Sequence, residues 1–218
     1  MKKKLLFFIC YFTTAILCCC KTSKFDNPTL YGMIYDNENE PVSDVSVFID
    51  NKEKAISDIY GHFQLNDIKL NKSYTLKASK KGYEDTYLEF SFTNISQVAY
   101  IRMLSSSELL LEVEKKISEK EYHDALNLLT RAEKIDGLSL SIMYLKSVIY
   151  YLSADYEKAL STVELMLQKN YNEAYVYLLL ADIYQFGFND IATTKKYLQL
   201  FLNKSYNPDV QQRLSNLE

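Results

Sequence analysis

Glu121-Tyr122-His123-Asp124-Ala125-Leu126 recurs 34 residues later as Asp155-Tyr156-Glu157-Lys158-Ala159-Leu160. Both copies set an aromatic three residues before a small alanine. Tyr150 and Tyr184 keep the same interval of 34. Around the first copy, apolar residues recur at threes and fours: Leu109, Leu110, Val113 and Ile117, then Ala125, Leu126, Leu128, Leu129 and Ala132. That period marks amphipathic helices, and helices repeated at a fixed interval mark a stacked array. The alanine lets the second helix of a pair close on the first, and the aromatic fills the wedge at the turn. The change to this period at Ser105 is sharp. Ser105 and Glu108 have the spacing of a capping box for the first helix.

The recurring segment resembles the tetratricopeptide repeat. It places repeats at 106–139, 140–173 and 174–207, with Asn207-Pro208 opening a capping helix over 208–218. The third repeat slips by about one residue near Gly187-Phe188-Asn189-Asp190. The resemblance implies that the first helix of each repeat lines a concave groove. The matching positions are Leu110, Glu114 and Ile117, then Tyr144, Val148, Tyr151 and Leu152, then Tyr175, Leu178, Asp182, Gln185 and Phe186. Tyr144, Val148, Tyr151, Tyr175, Leu178, Asp182 and Gln185 form the candidate groove for a protein or peptide partner. Tyrosine suits a binding surface because it gives contact area at low entropic cost. The same tyrosines can instead pack between repeats or under the preceding domain. The basic and Asn residues of chaperone-tail-binding repeats are missing at these positions, so an acidic C-terminal peptide is not the expected occupant.

Upstream, residues 29–104 alternate with period two. Leu30, Gly32 and Ile34 keep this spacing, as do Val45, Val47 and Ile49, then Tyr74, Leu76 and Ala78, then Leu88, Phe90 and Phe92. Turn signals at Asp36 to Asn39, Asp58 to Gly61, Asn71-Lys72, Lys81-Gly82 and Thr93-Asn94 separate these runs. The pattern predicts a small antiparallel sandwich. Gly32 to Asp36, Glu40 to Val47, Ser57 to Leu65, and Tyr74 to Ala78 with Lys81-Gly82-Tyr83 resemble the carboxypeptidase regulatory-like family, a transthyretin-like (prealbumin-like) sandwich. Asp44 stands where that family often has glycine. The family implies no protease residues, and these turn residues read as fold determinants. The fold class expected is therefore an all-β antiparallel sandwich followed by an all-α repeat stack. The linker, about Met103 to Ser107, is short enough to predict that the two halves touch or move little.

The four cysteines, Cys10, Cys18, Cys19 and Cys20, all fall in the first twenty residues. Lys2, Lys3 and Lys4 precede an apolar run from Leu5 to Cys20. A basic start and a short apolar run read as a secretory leader, with a short membrane anchor as the alternative. Leu17-Cys18-Cys19-Cys20 resembles a bacterial lipobox. The resemblance implies cleavage of residues 1–19 and acylation of Cys20, with Cys18 and Cys19 as less fitting sites and 20–28 as a tether. Several acyl chains hold a protein to a bilayer where one is marginal. The expected location is the cell envelope, at the outer membrane or a periplasmic face rather than a cytoplasmic one.

The 218 residues carry 25 basic and 28 acidic side chains, and loss of the three leader lysines would take the net charge from −3 to −6. That balance argues against a nucleic-acid partner. His62 and His123 are far apart and lack metal-ligand spacing. No phosphate loop or nucleophile elbow is present, so no catalytic residue, metal or cofactor is expected. The expectation is a non-enzymatic, membrane-anchored adaptor. The alternative is glycan or envelope-polymer binding by the sandwich, with the repeats as a spacer.

Overall fold

Alternation in the first half becomes two sheet faces. In the computed structural model, which describes residues 28–217, β1 (Leu30–Tyr35), β2 (Ser46–Ile49), β3 (Lys52–Ile56), β4 (His62–Leu65), β5 (Lys72–Ser79), β6 (Thr86–Phe92) and β7 (Val98–Arg102) form two sheets. The expected leader and Cys20 lie outside the described residues. One sheet has the order β4-β1-β7 and the other β3-β2-β5-β6. Their facing sides bury Leu30, Ile34, Val45, Val47, Phe63, Leu65, Leu76, Ala78, Phe92, Ile101 and Met103.

Two features differ from the sequence expectation of a purely antiparallel sandwich. β7 runs parallel to β1, pairing Tyr31 with Val98 and Tyr35 with Arg102. β3 is almost wholly exposed, so its residues carry little period-two signal. Pairing with β2, across a bulge at Val47/Phe48, holds it in place.

The turns follow from local chemistry. Asp58 Oδ1 accepts the N–H groups of Tyr60 and His62 at 2.9 and 2.8 Å. Gly61 then takes φ +74, and a Cβ there would lie 2.3 Å from the Ile34 carbonyl oxygen. Asp44 adopts φ 53, the left-handed conformation that glycine would take without a Cβ penalty.

The second half is helical: α1 (Ser106–Ser118), α2 (Tyr122–Asp136), α3 (Leu140–Leu152), α4 (Tyr156–Gln168), α5 (Ala174–Asp182), α6 (Ile191–Leu202) and α7 (Pro208–Asn216). α1 packs on α2, α3 on α4 and α5 on α6. Ala125 and Ala159 are fully buried, as close approach within each pair requires. In the third pair the buried Thr194 takes this place, one residue later than a 34-residue step predicts. The extra residue is absorbed by a π-helical turn, Ile183–Gly187, that continues α5. That wide turn is the physical cause of the slip. It brings Gly187 against Tyr156, where a Cβ would lie 2.5 Å from the ring's Cγ.

The halves are joined by more than the chain. Ser105 Oγ accepts the Glu108 N–H at 3.2 Å, and the Glu108 carboxylate accepts the Ser105 N–H at 2.7 Å, completing the capping box. The same carboxylate accepts the Asn37 N–H from the sandwich at 3.0 Å. Burial acts to raise the Glu108 pKa, but the bonds from Ser105 and Asn37 outweigh it, and the value falls below the usual one. Ser106 N–H donates to the Gly82 carbonyl at 3.0 Å. Arg131 of α2 donates to both oxygens of Glu84, at 3.0 and 2.6 Å.

Candidate functional site

The predicted groove residues lie on α3, on α5 and in the π turn that continues it, and the last helix α7 packs beside them. Tyr144 on α3 and Tyr175 on α5 meet edge to face, with ring centroids 4.7 Å apart. Tyr151, two turns along α3, meets Tyr156 of α4 at 5.9 Å. Tyr175 is 38% exposed, which makes it the most accessible ring of the set. Tyr144 and Tyr151 are half-buried against the cluster of Met143, Ala159, Val163 and Leu179. Val148 packs into the same cluster, and Leu178 packs against Ala181, Leu198 and Leu214. These two side chains serve the core at least as much as a surface.

Asp182 and Gln185 are not free groove positions. Arg213 of α7 donates from Nη1 to Asp182 Oδ1 at 2.6 Å and from Nε to Gln185 Oε1 at 2.9 Å. Its guanidinium also lies 5.6 Å from the Phe186 ring centroid. Sequence reading missed Arg213, because the terminal helix reads only as a cap. Asn207 caps that helix, Pro208 opens it, and Val210 and Leu214 dock it on α6 and α5. The remaining face then turns Arg213 toward α5.

The electrostatics follow from this burial. Desolvation raises the Asp182 pKa, and the Arg213 hydrogen bond and charge oppose that rise. Desolvation raises Tyr144, helped by Tyr175 and Asp182. Tyr151 is raised by desolvation and by Asp182 and Tyr156, with Arg213 pulling the other way. The phenols therefore stay protonated near neutral pH, able both to donate and to accept hydrogen bonds. The three rings lie beside one bound cation–anion pair, Arg213 with Asp182.

A concavity of about 690 Å³ lies on the outer side of the β4-β1-β7 sheet. Tyr31, Met33, His62, Gln64 and Tyr100 line it. His62 is exposed and sits 3.8 Å from Asp58. His123 is exposed at the start of α2. Among the described residues no group of three or more His, Cys, Asp or Glu side chains is placed to hold a metal. Among them, too, no helix is long and apolar enough to cross a membrane.

Comparison with known proteins finds two successive families, whose matches meet within α1. The family described as CarboxypepD_reg-like domain matches residues 30–114, and that described as Tetratricopeptide repeat matches residues 116–183. No curated protein matches the chain. Among solved structures, the Sgt2 TPR domain from Aspergillus fumigatus is 20% identical over 51% of this chain and 76% of its own, with a TM-score of 0.45. The N-terminal domain of stress-induced protein-1 from C. elegans is 12% identical over 51% of this chain and 93% of its own, with a TM-score of 0.42. A mutant type II cohesin–X-dockerin complex from Acetivibrio cellulolyticus contains a chain 18% identical over 40% of this one and 72% of its own, with a TM-score of 0.32. The chain carries a carboxypeptidase regulatory-like domain followed by tetratricopeptide repeats.

Proposed function

We propose that the chain is a non-enzymatic adaptor, held to an envelope membrane through acylated Cys20, that presents the α3–α5–α7 groove to a protein partner. The observation that carries this reading is the row of Tyr144, Tyr151 and Tyr175 on successive first helices, closed at one end by Arg213. Rigid, partly exposed aromatic rings beside an arginine are the side chains that dominate protein–protein contacts. Both phenol and guanidinium can bond a peptide backbone, while the ring faces accept apolar side chains. The partner expected is an extended or helical segment with one or two apolar anchors.

The test is photocrosslinking in the native envelope from Tyr175, with His62 on the sandwich as the comparison site. A discrete adduct from Tyr175, lost when Tyr144 and Tyr151 are changed to alanine, supports the groove. Adducts confined to His62 would sink the groove reading. They would favour the second reading, binding of a glycan or envelope polymer on the β4-β1-β7 face. The feature favouring that second reading is the exposure of Tyr31 and Tyr100 beside the polar His62 and Gln64.

A further inference from the structure

The sandwich has two unlike ends. The helices leave from one, where Gly82, Glu84 and Asn37 bond to the linker and α1. The other is built from the start of β1, the loop 66–71 and the loop 93–97. Leu30 pairs with Leu65, and Tyr31 with Val98. The Asn71 N–H donates to the Phe92 carbonyl at 2.6 Å, and Thr29 Oγ1 donates to Asn66 Oδ1 at 3.0 Å. These bonds stitch the three segments into one surface.

Each loop is polar apart from its aliphatic residues. In the first, Ile68 plugs the core at 5% exposure while Leu70 stands out at 41%. In the second, Ile95 is 65% exposed. Beside them Tyr31 is 56% and Val98 40% exposed. The loops are braced so that the tips stay out of the core. Gln97 Oε1 accepts the N–H groups of Thr93 and Asn94, at 2.7 and 2.9 Å. Tyr74 Oη accepts the Lys69 N–H at 2.7 Å.

The chain enters the sandwich at this end. The apolar run Leu5 to Cys20 stops eight residues before Pro28. However those residues run, they span at most about 28 Å. A lipid on Cys20 would therefore keep this end of the sandwich within about that distance of the bilayer, nearer than the end from which the helices leave. We infer that it is a lipid-contacting surface: Leu70 and Ile95 enter the interfacial layer of the membrane, and Tyr31 sits at headgroup level, where tyrosine is favoured. The inference rests on the anchor reading above. The charges nearby are mixed, Lys52, Lys69 and Lys72 against Asp50 and Asp67, so the contact is made by apolar tips rather than by a basic patch.

The sequence has no tryptophan, so one introduced ring reports alone. Full-length Ile95→Trp, and Tyr206→Trp in the distant α6–α7 loop, would be purified from membranes. Both would be reconstituted into phosphatidylcholine vesicles, with and without bromine on one acyl chain. The expected result is several-fold stronger quenching of Ile95→Trp by brominated lipid and none for Tyr206→Trp. Leu70→Glu in the Ile95→Trp background should reduce that quenching while the chain still floats with the vesicles. Flotation with an unquenched, water-exposed tryptophan at position 95, or quenching indifferent to Leu70→Glu, would overturn the contact and leave the anchor standing. A chain recovered free of vesicles would overturn the anchor itself, and the contact with it.

Discussion

Replacing Arg213 by methionine should separate charge from packing at the end of the proposed groove. Methionine keeps an aliphatic stem over Phe186 and leaves Val210 and Leu214 docked. What is lost is the ion pair to Asp182 and the two hydrogen bonds to Gln185. Both paired side chains keep only about a quarter of their exposure, 25% and 26%. Stranding one member of a fully buried pair costs about 3–5 kcal/mol, whereas surface pairs contribute about 1 kcal/mol or less. Between those limits the loss here is about 2 kcal/mol near neutral pH. It should depend on pH. Burial holds the Asp182 pKa above its usual 3.8, so the folded chain binds this proton at higher pH than the unfolded chain does. Its contribution is present below 3.8 and is lost as pH rises through the folded value. Without Arg213 nothing opposes the rise, so the penalty of the variant is greatest at neutral pH and shrinks as pH falls. Urea unfolding followed by far-UV circular dichroism, at neutral and mildly acidic pH, measures the difference in midpoint. Asp182→Asn in the same chain should recover part of the loss. A penalty of equal size at both pH values would refute the reasoning and make Arg213 a packing residue.

Three other substitutions test the scaffold. Gly61→Ala forces a left-handed residue, at about 1–2 kcal/mol, and drives a Cβ to 2.3 Å from the Ile34 carbonyl, so the sandwich should lose more than that and melt early; an unchanged melting temperature would contradict the turn geometry. Ala159→Leu overfills the seam between α3 and α4 at a cost of about 1–3 kcal/mol, read as a lower urea midpoint for the helical signal; a neutral result would mean that the pair is not closed on alanine. Glu84→Gln removes the charge facing Arg131, a pair about one-third exposed and so screened, for a loss of about 0.5–1 kcal/mol. The Arg131 hydrogen bond lowers the Glu84 pKa against burial, so its contribution stands above the usual 4.5 and fades as pH falls below it. Protease cleavage between Met103 and Ser107 should therefore quicken in acid for the native chain and much less so for Glu84→Gln.

Legibility from sequence followed the range of the forces involved. Tyr122 with Ala125 and Tyr156 with Ala159 were readable because helix pairing repeats at fixed spacing. The slip in the third repeat was visible as an offset, but its cause was not. A π turn exchanges hydrogen-bond partners without leaving a composition mark, and only Gly187 hints at it, by making room for Tyr156. In the sandwich, β1 and β5 were plain from alternation. Lys52-Glu53-Lys54 was not, because a strand exposed on both faces has no period. The parallel pairing of β7 with β1 joins residues more than sixty apart, and no local pattern encodes that. Of the proposed groove, the tyrosines followed from the repeat positions that the resemblance implies. Arg213 did not, since it reaches Asp182 from a helix beyond the repeating unit.

The link between the two halves decides how far an orientation set at one end is felt at the other. Glu108 binds Ser105 at the N-cap of its own helix and Asn37 in the sandwich with one carboxylate, so capping α1 and docking the sandwich are a single event. Arg131 adds a second tie from α2 to Glu84, displaced from the first along the contact. Two separated ties and a short linker resist rotation as well as separation. The strands between the two ends are six to eight residues long in β1, β5 and β6, about 20–27 Å. A membrane contact at Leu70 and Ile95 would then do more than add affinity. It would fix the tilt of the sandwich and, through Glu108 and Arg131, hold the groove at Tyr175 a strand length or more above the lipid, where a partner can reach it.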